Sequence, residues 1–433
     1  MNIGTFYDAI VIGGGASGLA AAVSAARAEA KTAIVERDVA CGLKILATGN
    51  GRCNLSAARI DTARYRHPSF VHAVMGTQPE RDLAAFFDSV GIVTTEEDGR
   101  LYPLSLKAES VRDALLRACE RLGIDILSGC NVTGFHQDDT GTWRIAVTQP
   151  ASDLKTKTRS DRKSNVRALR RALENAPKRT VELQAKALVI ATGGNPADIA
   201  ESLELPLVPA TPVLCPVAAE VVDIPHALED LDGLRTRASV TLKHEGAGTW
   251  SEEGEVLFRP YGISGVVAFN LSRRVAPADT VLLDFFPTVD RESFHAALKD
   301  RELVMGPFSP DDPTWFDGML APALARCACG IYRHCHPGTA DVVHLVSVLK
   351  HFKLKAHRTA EEKSAQVMRG GIPVESVSVE NLAYKGNEHG NLFICGEALD
   401  VDADCGGYNL AWAWLSGARC GNAAAHHAER VPA

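Results

Sequence analysis

The chain has 433 residues, 46% of them hydrophobic and 23% charged, with a formal net charge of -7. That balance is enough for one large or two medium cores and argues against general binding to nucleic acid. No run of eighteen apolar residues is present to span a membrane, and the apolar run at 9–12 is too short for a secretion signal, with no basic start or cleavage site. Eleven cysteines are spread from Cys41 to Cys420, and they read as reduced thiols of a cytoplasmic protein.

Residues 7–12, Tyr-Asp-Ala-Ile-Val-Ile, form a short apolar β-type run that reads as a buried strand. It leads into Gly13-Gly14-Gly15-Ala16-Ser17-Gly18, then into the alanine-rich helix former 19–27, then into a second strand at 32–35 that ends in Glu36. Each part has a job in holding a dinucleotide. Gly13 permits the tight turn, Gly15 lets a pyrophosphate approach the backbone at Ala16 and Ser17, and Gly18 lets the helix lie close on the strand. The helix start offers free N–H groups and a positive dipole end. Glu36, followed by Arg37, arrives at the distance needed to bind a ribose diol.

The motif sits at the extreme N-terminus, and further small-residue turns recur along the chain, which points to FAD rather than a nicotinamide nucleotide. Residues 41–54 form a small-residue loop with the cations Lys44 and Arg52, suited to wrapping a pyrophosphate and the ribityl–flavin end. A strand at 187–190 ends in Ala191-Thr192-Gly193-Gly194. Another at 391–395 ends in Gly396-Glu397, followed by Asp400 and by Cys405-Gly406-Gly407-Tyr408-Asn409-Leu410, which opens a helical stretch over 411–425. A helix start there suits negative charge on a reduced flavin ring.

These segments resemble the aminoacetone-oxidase-like flavoprotein family, which also contains 3-dehydro-bile-acid reductases. The resemblance is carried by 11–18 with Glu36, 42–54 with its Thr-Gly-Asn-Gly-Arg-Cys-Asn, Gly99-Arg100-Leu101-Tyr102-Pro103, 191–194, Gly262-Ile263-Ser264-Gly265, Ala365-Gln366-Val367 with Gly370-Gly371, and 396–410. It implies an α/β fold, in which a Rossmann-type FAD-binding domain is built from both chain ends around an inserted β-rich and helical domain. It also implies Glu36 on the adenosine ribose, and Lys44, Arg52 and Asn54 around the pyrophosphate and flavin. Gly407, Asn409 and Leu410 would lie at the flavin ring, and Val132 would make a backbone contact to adenine. Two segments depart from the family pattern: 195–209 is short and has no glycine, and 154–180 is an insertion.

That insertion is strongly basic: residues 155–179 hold ten Lys or Arg against two Asp or Glu, a local net of +8. It lies between two alternating strands and reads as an extended hairpin connection with one helix at 165–173, either a solvated surface loop or an arm for an acidic partner. Prolines at 206, 209, 212 and 216 then mark a change of texture. The expected division is 1–206 with 358–433 as the FAD domain and 207–357 as the inserted substrate domain.

Other constellations invite chemistry less strongly. Cys327, Cys329, His334, Cys335 and His336 match no paired metal-ligand spacing and read as core or boundary residues; no metal is expected. Cys41 and Cys53 have eleven residues between them, too far apart for the redox pair of a pyridine-nucleotide–disulfide enzyme, and no second GxGxxG appears. Cys53 and Tyr408 are the candidates for a catalytic role, while His226, His244 and His351 are isolated. The expected function is an FAD-dependent oxidoreductase on a small organic substrate. The resemblance favours reduction of an enone of the bile-acid or steroid type, with aminoacetone-type amine oxidation by O₂ as the alternative. NAD(P)H would serve, if used, as a transient reductant, and no nucleic-acid or membrane partner is expected. A non-catalytic or RNA-directed flavoprotein is the competing class, suggested only by the basic insertion.

Overall fold

The computed structural model describes residues 5–152, 162–222, 224, 226–243, 249–361, 363 and 365–430. His244 and residues 155–161 of the basic insertion lie outside them. The chain divides into two compact units, Met1–Thr211 with Val367–Ala433, and Pro212–Gln366.

The first unit is built on a parallel sheet. Strand β1 (Phe6–Ile12) is buried from Ala9 to Ile12, as its unbroken apolar run requires of a central parallel strand. Strand β2 (Thr32–Glu36) pairs with one side of it, from Ala9↔Thr32 to Ile12↔Val35, and the strand Lys178–Ile190 pairs with the other, through Ile12↔Ile190. Asp125–Ser128 extends the sheet beyond β2, and Leu392–Ile394 joins Leu188–Ile190 from the far end of the chain. The sheet is thus completed by both chain ends.

Two helices pack together over this sheet: α1 (Ala16–Arg27) and the C-terminal helix Tyr408–Arg430. Their close approach depends on glycine. A Cβ placed on Gly417 would stand 2.3 Å from the Ser17 carbonyl oxygen, and one on Gly421 would stand 2.0 Å from that of Ala21. The C-terminal helix begins and ends beyond the expected 411–425, and its added last turn, 426–430, is mostly polar.

The first half of Lys178–Ile190 leaves the parallel sheet to pair antiparallel with Trp143–Pro150, which pairs in turn with Asn131–Gln137. At the tip of this hairpin the insertion closes with a hydrogen bond from Ala151 N to Pro177 O, 2.8 Å. It carries a helix over Arg162–Asn175, longer than the expected 165–173 at both ends.

The second unit is a closed antiparallel barrel. Around it run Val217–Val221, Gly262–Ser264, Thr249–Arg259, Arg235–Lys243, Thr280–Asp284 and Phe352–Thr359, which pairs back to the first. Alternation fills its interior: Ala238, Val240 and Leu242 are buried on one strand while Ser239 and Thr241 between them are not. Phe258 and Phe285 each meet Phe352 edge to face, and helices Pro322–Cys335 and Val342–Lys350 add Tyr332 and Leu345 to the same core. Because Phe352–Thr359 closes the barrel, the unit runs past the expected boundary at 357.

The cysteine–histidine stretch falls largely on Pro322–Cys335: Cys329 is buried, Cys335 is exposed, and His336 stacks on His344 at 4.2 Å. Among the described residues no three His, Cys, Asp or Glu are grouped to hold a metal ion, and no helix is long and apolar enough to cross a membrane.

Candidate functional site

The turn between β1 and α1 distinguishes its glycines by what surrounds them. Gly13 has a φ of +108°, and a Cβ there would lie 2.4 Å from the Ala191 carbonyl oxygen; on Gly18 it would lie 1.9 Å from that of Gly13. On Gly14 it would meet the Cys41 sulfur at 2.2 Å. Gly15 differs from all three. Its φ of -78° is open to any residue, and a Cβ would find nothing within 4 Å. The fold makes no demand for glycine there, whereas a ligand lying on the backbone would. Gly15 caps α1 without any side-chain cap bond, so the cap leaves the first-turn N–H groups of Ala16 and Ser17, at the positive end of the helix dipole, to other partners.

Glu36 closes the other side of the turn. Its two carboxylate oxygens accept from the backbone N–H of Gly14 and of Asp38, each at 2.7 Å. Arg37 beside it is exposed. The following loop is tied to the turn by Gly42 N donating to Gly14 O, 2.8 Å, and is held from behind by Arg112 Nε donating to Cys41 O, 2.8 Å.

Residues from three distant segments converge at the end of the strand Lys178–Ile190. A Cβ on Gly193 would stand 3.4 Å from Lys44 Nζ and 3.8 Å from a carboxylate oxygen of Glu397. Ala191 N donates to Ile12 O at 2.9 Å. Glu397 accepts from Met368 N at 2.8 Å. Burial raises its pKa, partly offset by the Met368 hydrogen bond and by Lys44. Gly396, at φ +65°, sits where a Cβ would fall 2.5 Å from Ser17 Oγ. It is anchored by the C-terminal helix, donating to Ser416 Oγ and accepting from Trp412 Nε1.

Two polar atoms here are buried without a hydrogen-bond partner among the described residues: Asn54 Oδ1 and Thr192 Oγ1. Buried polar groups left unpaired are rare. Both residues stand among those expected at the cofactor. With the open backbone at Gly15 and the uncapped helix start, they make a donor and acceptor set that fits FAD.

Other expected residues have different partners. The Arg52 guanidinium pairs with Glu97 and lies over the Tyr102 ring at 4.4 Å. The Asn409 amide braces the preceding loop, exchanging two 2.9 Å hydrogen bonds with the Ala403 backbone. Gly407, at φ +100°, serves packing, since a Cβ would fall 2.3 Å from the Ser56 backbone. Leu410 packs partly buried against the core. Val132 lies in the hairpin strand opposite Val147.

The two catalytic candidates, Tyr408 and Cys53, are both buried. Tyr408 is buried, with its ring edge-on to Tyr65 at 5.7 Å and under Arg64 at 5.6 Å. Cys53 is fully buried and burial pushes its thiol up to about 11; Cys41 rises to about 12. Such thiols stay protonated near neutrality and are poor nucleophiles.

Sequence reasoning missed a charged cluster next to the site. Asp400, Asp402 and Asp404 are buried, and Arg66, Arg369 and Arg64 face them at 3.1, 2.9 and 3.6 Å. His67 Nε2 lies 3.4 Å from Asp400. The backbones of 64–66 and 402–404 run side by side, with Arg66 N donating to Asp402 O and Asp404 N to Arg64 O. The Asp-x-Asp-x-Asp spacing was visible as one face of an extended segment, but its partners are more than three hundred residues away for two of the three pairs.

Comparison with known proteins identifies the family. The family described as HI0933-like protein Rossmann domain matches residues 7–159 and 151–423. The chain is similar to a 3-dehydro-bile acid delta(4,6)-reductase of Clostridium scindens, 29% identical with 96% of this chain and 98% of that one covered. It is also similar to a ribosomal RNA dihydrouridine synthase of Haemophilus influenzae, 24% identical over 96% and 98%. Among solved structures, a 3-ketosteroid-delta4-(5alpha)-dehydrogenase from Rhodococcus jostii RHA1 aligns with a TM-score of 0.47 at 14% identity, covering 97% of each chain. With the family match running through both units and both chain ends, the protein belongs to the HI0933-like family of FAD-binding Rossmann proteins.

Proposed function

We propose that this FAD-dependent oxidoreductase saturates a carbon–carbon double bond conjugated to a carbonyl, in a small substrate of the bile-acid or steroid enone type, with NAD(P)H as a transient reductant. The observation that carries the reading is the similarity to the Clostridium scindens reductase, which runs through both chain ends and the inserted unit alike. The name of the second relative denotes the same bond chemistry on another scaffold, since the uracil double bond is also conjugated to a carbonyl.

Bound FAD would supply the hydride chemistry. The chain's own part is to bind and orient. The open first turn of α1 would hold the pyrophosphate, and Glu36 the ribose diol, with its two oxygens already aligned by Gly14 and Asp38. Asn54 Oδ1 and Thr192 Oγ1 would gain the partners they lack. Lys44 and Glu397 set the local charge beside Gly193, and the Asp400–Asp404 segment, fixed by its three arginines, keeps the start of the C-terminal helix in place.

A second reading, reduction of a base within RNA, is supported by the basic helix Arg162–Asn175 together with the name of the Haemophilus influenzae relative. Anaerobic titration of the FAD-loaded protein discriminates. Bleaching of the flavin by NADH or NADPH, followed by recolouring on adding a 3-oxo-Δ4 bile acid, is the expected result. Recolouring by ribosomal RNA alone would favour the second reading. Bleaching by aminoacetone, with peroxide formed on admitting air, would overturn both.

A further inference from the structure

The basic helix does not stand free of the dinucleotide turn. Arg170 reaches Asp38 with both arms of its guanidinium: Nε donates to Oδ1 at 2.9 Å and Nη2 to Oδ2 at 2.6 Å. One turn further on, Leu173 lies against Gly129, close enough that a Cβ there would stand 3.0 Å from its methyl group. Asp38 and Gly129 belong to one braced corner. Asp38 N donates to Glu36, Gly129 N to Asp38 O, and Cys130 N to Glu36 O. The helix therefore grips the carboxyl ends of two neighbouring parallel strands, β2 and Asp125–Ser128, which is where ligands of open α/β sheets bind. The acid that reads the ribose, Glu36, lies two residues from the gripped position.

We infer that the helix Arg162–Asn175 is a clamp on the adenosine end of the FAD site, fastened by Arg170 on Asp38 and seated by Leu173, and that it governs how fast FAD leaves. The proposal rests on the FAD reading given above. It gives the insertion a task that its charge count did not suggest: Arg170, though half exposed, serves as a fastener through its pairing with Asp38. A bidentate guanidinium–carboxylate pair is the geometry in which a partly exposed ion pair has a measurable effect. Being ionic, the fastening weakens with salt.

The test is FAD release from the purified holoprotein, followed by the rise in flavin fluorescence after large dilution into buffer holding a phosphodiesterase that cleaves released FAD to FMN. Arg170→Ala should release FAD about three- to tenfold faster than the unaltered protein. Leu173→Ala should also release it faster, and the exchanged pair Asp38→Arg with Arg170→Asp should return the rate toward its starting value. Raising NaCl should speed release from the unaltered protein and have no such effect in Arg170→Ala. Equal release rates for all these proteins, each isolated with FAD bound, would overturn the clamp and leave the FAD reading standing. A folded protein that neither carries nor accepts FAD would overturn the FAD reading itself.

Discussion

The turn at residues 13–18 and the barrel of Pro212–Gln366 differ in how many contacts settle each position. In the turn, Gly13, Gly14 and Gly18 are each fixed by one close approach, and Gly15 by none within the protein. In the barrel no single residue decides the outcome; the structure rests on alternation over six strands and on register among segments far apart in the chain. The contrast teaches where a function can be read. A position the fold leaves unconstrained, in the middle of a tightly constrained turn, points to a ligand. A well-packed barrel position points only to packing.

The contrast can be broken or sharpened by substitution. Gly18→Val should have the largest effect, because its side chain would enter the Gly13 carbonyl: about 4 kcal/mol or more of stability lost, and no flavin retained, measured by thermal melting and absorbance. Phe258→Ala should remove about 3–5 kcal/mol from the barrel through the cavity it leaves. If the units differ as described, the flavin-to-protein ratio of the surviving folded fraction stays unchanged; a parallel loss of flavin would erase the distinction. Gly15→Asp should leave the melting temperature nearly untouched and weaken FAD about ten- to a hundredfold, through lost backbone contacts and a like charge at the pyrophosphate.

Smaller effects sharpen the picture of the loop. Cys53→Ser should cost about 1 kcal/mol of stability and change turnover less than about twofold, since a thiol with its pKa near 11 is protonated at working pH. A tenfold loss of turnover at unchanged flavin content would make it a participant. The smallest effect is in pH. The hydrogen bond from Arg170 holds Asp38 below its ordinary value, so the pair is intact above that value and is lost only as pH falls through the lowered one. FAD release should therefore quicken only below about pH 4 and should show no such step in Arg170→Ala, read in the same fluorescence assay.

Much of the first unit was legible because its signals are local. The strand, glycine turn, helix and acid of residues 7–36 lie within thirty residues and use residue types with few alternatives. The small-residue turns at 191–194 and 396–407 were visible for the same reason. Side-chain roles were less so. Arg52 and Lys44 look alike in sequence, yet Arg52 turns to Glu97 and Tyr102 while Lys44 comes beside Gly193. Asn409 was expected at the cofactor, and its amide is engaged by Ala403 six residues earlier. The aspartate–arginine cluster and the fastening of Arg170 to Asp38 depend on contacts between distant segments, which no window of sequence contains.

The central claim is that the pyrophosphate of FAD rests on the first turn of α1, over Gly15. Titration of deflavinated protein with FAD, in the unaltered chain and in Gly15→Asp, tests it most directly. The expected result is one FAD per unaltered chain and at least tenfold weaker binding to the variant at equal thermal stability. Equal binding by both proteins, or none by the unaltered one, would contradict it.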